Sequence, residues 1–195
     1  MTTAAETVIA ATQDWLVRAV IGLNLCPFAR AVYAGDRIRY VVSDATTPEA
    51  LLEALAEELQ ALADIDETRT ETTLLIHPQV LGDFPDYNDF MELADALVAD
   101  LGLEGVLQVA GFHPQYQFAD TAPDDIGNYT NRSPYPTLHL LREASVERAV
   151  AAHPDTERIY RDNIETLRRL GREGWERLDV GAPRSKSPWG APRKP

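Results

Sequence analysis

Glu71-Thr72-Thr73-Leu74-Leu75-Ile76-His77-Pro78 is the stretch on which the fold turns. Residues 72–76 are β-branched or aliphatic and carry no charge. The run suits a strand, is too short for a core helix, and is stopped by His77-Pro78. A strand apolar on both sides of its pleat belongs inside a sheet that is covered on both faces.

Working outward, residues 38–42 form a short β-branched and aromatic run after the turn signal Gly35-Asp36, and residues 106–110 (VLQVA) form another apolar run that leads to Gly111-Phe112. Between these runs lie two helical patterns. Thr47-Pro48 opens the first, with a cap residue and then proline at the first helical position, and Leu51, Leu52, Leu55, Leu59 and Leu62 make its stripe to residue 64. The second spans residues 86–101, with Phe90, Leu93, Ala94, Leu97, Val98 and Leu101 on one face and Gly102 as its stop. Helix-sized crossovers between strands imply parallel pairing. The expected fold is therefore α/β: a small, mostly parallel sheet of three or four strands with helices on both faces. Residues 31–33 (AVY) are a candidate antiparallel edge strand.

An amphipathic helix over residues 7–23 precedes the sheet, and two helices, 136–152 and 155–170, follow it, the last stopped by Gly171. Residues 1–181 thus read as one domain, and residues 182–195, rich in Pro, Gly and basic residues, as a disordered tail.

Composition narrows the partners. The 195 residues hold 18 Lys and Arg against 31 Asp and Glu, a net charge of −13. Four of the cations (Arg184, Lys186, Arg193 and Lys194) fall in the acid-free stretch 183–195, so the body is more acidic still. Such a surface repels nucleic acid and anionic membrane. The single cysteine, Cys26, excludes an internal disulfide and a Cys-based zinc cluster, and fits a cytoplasmic chain. The N-terminal residues lack the basic region of a signal peptide, and no apolar run approaches the roughly 20 residues that span a bilayer. Phosphate-loop, dinucleotide, serine-hydrolase and zinc-protease motifs are missing.

Candidate chemistry collects where parallel strands end, since ligands of open α/β sheets bind beyond the C-terminal strand ends. His77 ends one strand, and His113 opens a loop of about 24 residues, long for a compact domain. The loop mixes five aromatics with polar groups, among them Tyr116, Asn128, Asn131 and Arg132. His113 is the candidate general acid/base, with His77 and Cys26 as secondary catalytic candidates. Cys26 precedes Pro27, where a short helical turn would favour a thiolate. Arg132 and Arg142 are candidates for holding an anion through their planar guanidinium groups, with Asn128, Asn131 and Tyr116 beside them as ligand-binding residues. His139 and Glu143, four apart on the expected helix, either share a metal or hydrogen-bond each other within the core.

The stretches IGLNLCPFA (21–29), ETTLLIHP (71–78), GFHPQYQF (111–118), NYTNRSPYPTLHLLREASVERAV (128–150) and NIETLRRLG (163–171) resemble the bacterial family catalogued as domain of unknown function 1415, over roughly residues 7–178. The resemblance implies a single domain and brings no activity, substrate or cofactor with it.

Three functions are therefore expected in competition. The first is a small-molecule enzyme acting on a carboxylate or phosphate at the sheet edge, through His113 and the arginines. The second is a non-catalytic module that binds a protein or peptide through its loop aromatics and basic tail. The third is a metal-dependent hydrolase built on His77, His113 and loop aspartates.

Overall fold

A computed structural model describes residues 3–152 and 156–181. Helix α1 (Ala4–Trp15) is closed by a capping box between Thr3 and Glu6 and runs directly into a π-helical segment, Leu16–Ile21. A short helix α2 (Ala29–Ala34) leads to β1 (Ile38–Val42), α3 (Pro48–Asp64), β2 (Thr72–Ile76), α4 (Phe84–Asp100) and β3 (Leu107–Phe112). A 3₁₀ helix, Ile126–Asn131, lies in the long loop. It is followed by β4 (Thr137–Arg142), α5 (Glu143–Ala152) and α6 (Thr156–Arg177), which is kinked where Gly171 takes φ 67°.

The α/β class, the flanking helices and a four-stranded sheet are as the sequence predicts. The pairing is not mostly parallel. The order is β1-β2-β4-β3; only β1 and β2 pair in parallel, and β4 pairs antiparallel with β2 and β3. The cause is residues 137–142, expected as helix and found as a central strand. Residues 31–33, the candidate edge strand, lie within α2. The crossover argument survives in one respect: β1, β2 and β3 all point the same way, with β4 inserted between the last two in the opposite sense. The expected disordered tail falls outside the described residues.

Alternation along each strand sorts the two faces. Val41, Leu75, Leu138, Leu140, Leu107 and Val109 pack with the α3 stripe (Leu51, Leu55, Leu59, Leu62) and with Phe90 and Ala94 of α4. The opposite face presents Ile38, Tyr40, Leu74, Ile76 and Phe112 to α1, to the π-helical segment and to the chain around Trp175. Burying a leucine fully is worth about 1.5–3 kcal/mol, so this two-sided core holds β2 and β4 at the centre. No helix among the described residues is long and apolar enough to cross a membrane.

Candidate functional site

His77 and His113 leave the same sheet edge, because β2 and β3 share a direction. They are joined through Tyr87, whose ring stacks on His77 (centroids 5.8 Å apart) and lies 5.0 Å from His113. Both imidazoles are fully buried. His77 Nδ1 lies 3.1 Å from the carbonyl of Val80, and His113 Nε2 lies 3.1 Å from the carbonyl of Leu81. A carbonyl only accepts, so each of those nitrogens carries the proton. His113 Nδ1 in turn accepts from the backbone N–H of Gln115 at 3.0 Å. Burial is the largest influence on both rings and pulls their pKa values down to about 4, so both are neutral at physiological pH. The pair pins the turn after β2, in which Leu81 adopts φ 55°. His113, expected as the acid/base, thus has both nitrogens engaged and no open surface.

The two arginines are likewise engaged by main chain. Arg132 donates to the carbonyls of Tyr116 (3.1 Å) and Pro123 (2.6 Å), and its guanidinium lies over the Tyr129 ring at 4.4 Å. Arg142 donates to the carbonyls of Leu62 (2.8 Å), Ile65 (2.6 Å) and Thr70 (3.0 Å), tying down the end of α3. Asn128 is fully buried: its Oδ1 accepts from the Phe118 N–H and the Thr121 hydroxyl, and its Nδ2 donates to Ala122. Tyr116 packs against Phe84 and Phe118, each with centroids 5.0 Å away. These residues build the loop.

The loop aromatics have inward partners as well. Phe112 meets Trp15, Tyr129 meets Trp175, and Tyr135 is 3% exposed. His139 and Glu143 are not a helical pair: His139 lies in β4 and Glu143 begins α5. Among the described residues, no three His, Cys, Asp or Glu side chains are grouped to hold a metal ion.

What the structure does gather is a cavity of about 340 Å³ on the α1 side of the sheet, at the end of β3. Half-buried Cys26 reaches it from the turn after the π-helical segment, and Asn131 reaches it from the end of the 3₁₀ helix. Ala110 and Phe112 contribute from β3, and Tyr160 and Asn163 from α6. Asn163 Nδ2 donates to the carbonyl of Leu25 at 2.8 Å, which fixes α6 against the Cys26 turn. No charged side chain lines this cavity. Of the residues singled out in the sequence, it brings together Cys26 and Asn131 and leaves out the histidines and arginines. Sequence reasoning missed Asn163, although the signal was there: a neutral amide placed between Ile159 and buried Leu167 at four-residue spacing.

The profile of one protein family matches residues 7–177, and no curated protein and no solved structure matches the chain. The chain belongs to the family described as protein of unknown function (DUF1415).

Proposed function

We propose that this member of the DUF1415 family binds a small, uncharged and largely apolar molecule in the cavity beside Cys26, and that the Cys26 thiol is the group available for chemistry on it. One observation carries the reading: the cavity of about 340 Å³ is lined by aromatic and aliphatic side chains with a few neutral polar groups, Cys26, Thr130, Asn131 and Asn163. That composition is typical of small-molecule sites, where an apolar wall supplies affinity and a few polar groups set orientation. The lining holds no cation, and the acidic body disfavours an anion. Both favour an uncharged ligand over the carboxylate or phosphate expected from Arg132 and Arg142. The cysteine is the nucleophilic side chain on the wall, so an enzyme reading runs through it rather than through His113.

Because Cys26 is the sole thiol, its alkylation reports on the cavity directly. The rate with neutral iodoacetamide should saturate as reagent is raised. Its ratio to the rate with anionic iodoacetate should exceed the ratio measured on the urea-unfolded chain. A linear dependence, with the unfolded-chain ratio, would contradict the reading.

A further inference from the structure

At the edge of the sheet opposite β3, where β1 has a neighbour on one side alone, lies a second cavity of about 300 Å³. Its walls are Gln13 from α1, Tyr33 and Ala34 from the end of α2, Asp36 from the turn that follows, and Ile38 and Tyr40 from β1. Ile38 and Tyr40 stand two apart on the strand and so share the face that meets α1. No lining residue is common to this cavity and the one beside Cys26. Its volume is at the lower end of the range for small-molecule sites.

The chemistry of the two cavities differs. The Cys26 cavity is lined by no charged side chain, whereas this one is lined by a carboxylate and no cation. The neighbouring arginines are engaged elsewhere: Arg37 pairs with Glu71, and Arg39 with Glu58. Asp36 has no ion-pair partner among the described residues. Tyr33 is 41% exposed. Tyr40 is half-buried, and its hydroxyl is buried without a hydrogen-bond partner, so what it presents to the cavity is its ring. Burial first, and then the charges of Tyr33 and Asp36, push the pKa of that hydroxyl well above its ordinary value. Tyr33 and Asp36 therefore both lie within electrostatic reach of Tyr40. A carboxylate beside aromatic rings suits an organic ammonium ion, which the rings attract through their negative faces. The strongly acidic body raises the local concentration of cations in the same sense. A bare metal ion would find a single carboxylate here, too few ligands for a hard cation.

We propose that the cavity between α1, α2 and β1 is a binding site for a small organic cation with a methylated ammonium head, held by the Asp36 carboxylate and the rings of Tyr33 and Tyr40, with the Gln13 carboxamide beside them. A methylated head suits this lining better than a primary one, because a primary ammonium has three N–H donors to satisfy and the Tyr40 hydroxyl is out of reach. The site is independent of the cavity beside Cys26.

Choline and its neutral isostere, in which carbon replaces the nitrogen, have nearly the same shape and differ in charge. NMR on the full chain follows the Tyr33 and Tyr40 ring signals and the Gln13 side-chain amide, with sodium chloride at equal ionic strength as the control. Tyr33→Leu and Tyr40→Phe assign the rings. Choline should shift all three groups saturably in the millimolar range, and neither the isostere nor sodium chloride should do so. Asp36→Asn keeps a residue that tolerates the left-handed φ of 51° at this position, and Tyr33→Leu changes an exposed side chain. Each should weaken choline binding roughly threefold or more. Alkylation of Cys26 should proceed at an unchanged rate with choline present. Equal shifts with choline and the isostere, an affinity indifferent to both substitutions, or no saturable shift would each overturn the site and leave the Cys26 reading standing. Slowed alkylation of Cys26 by choline would place the cation in the other cavity and overturn the assignment.

Discussion

His113 commits both ring nitrogens to its own fold, one to the Leu81 carbonyl and one to the Gln115 N–H. His113→Ala therefore removes two hydrogen bonds to backbone, about 0.5–1.5 kcal/mol each, and empties the space of a fully buried ring. It should lower the urea midpoint markedly while the alkylation rate of Cys26 in the folded protein stays unchanged. A stable variant with altered alkylation would restore a functional role to this ring. The histidines also set a pH dependence. His77, His113 and His139 are held near 4 in the folded chain against about 6.5 in a free one. Between those values the unfolded chain binds protons that the folded chain does not, so stability is full above pH 6.5 and falls as pH drops toward 4. Each histidine contributes a slope of up to about 1.4 kcal/mol per pH unit inside that window. Urea midpoints at pH 7.5 and 5.5 should differ, and equal midpoints would contradict the neutral assignment. Gly111 is a tighter constraint: a Cβ there would lie 2.6 Å from the Tyr87 hydroxyl, which donates to the Thr137 carbonyl at 2.8 Å. Gly111→Ala should cost about 1–3 kcal/mol through that displaced ring.

At the scale of elements, β4 decides the topology and was the least legible part of the chain. Its residues, TLHLLR, contain three leucines, follow a proline that can open a helix, and precede a true helix. Local preference therefore favours continuing α5 backward. Tertiary pairing wins because β4 satisfies its backbone on both sides, against β2 and β3, and buries Leu138 and Leu140 over α3 and α4. The alternation of Leu138 and Leu140 with Thr137 and His139 was the available signal. By contrast, β2, the α3 leucine stripe and the Thr47-Pro48 start were legible, because period, cap and burial all agree there. The same split applies to the site. Cys26 and Asn131 could be named from their types, but the cavity they share depends on α6, whose placement no local pattern encodes. Two tests follow. Backbone amides of β4 should be among the slowest to exchange, since global opening is needed to free a strand paired on both sides; exchange as fast as in α5 would contradict the topology. Arg142→Met should leave the carbonyls of Leu62, Ile65 and Thr70 without their donor, lower stability by about 2 kcal/mol or more, and spare Cys26 reactivity. Loss of reactivity at unchanged stability would return Arg142 to the site.

Seen whole, the molecule uses His77, His113, Arg132 and Arg142 as fastenings to main chain and leaves neutral groups around the cavity at the end of β3. The acidic composition fits that arrangement, for it repels anions at long range while leaving an uncharged ligand indifferent. The family match covers the π-helical segment, the Cys26 turn, β3, the 3₁₀ helix and α6, which line the cavity. The central claim, that this cavity and not the histidine edge holds the ligand, is tested most directly by protection of Cys26. Carboxamidomethylation of the sole thiol by iodoacetamide is followed by mass spectrometry as benzamide is raised through the millimolar range, with the free thiol glutathione as an internal control. The account predicts that benzamide slows modification of Cys26 severalfold and saturably while glutathione reacts at an unchanged rate. A Cys26 rate that stays level across the same titration would contradict it.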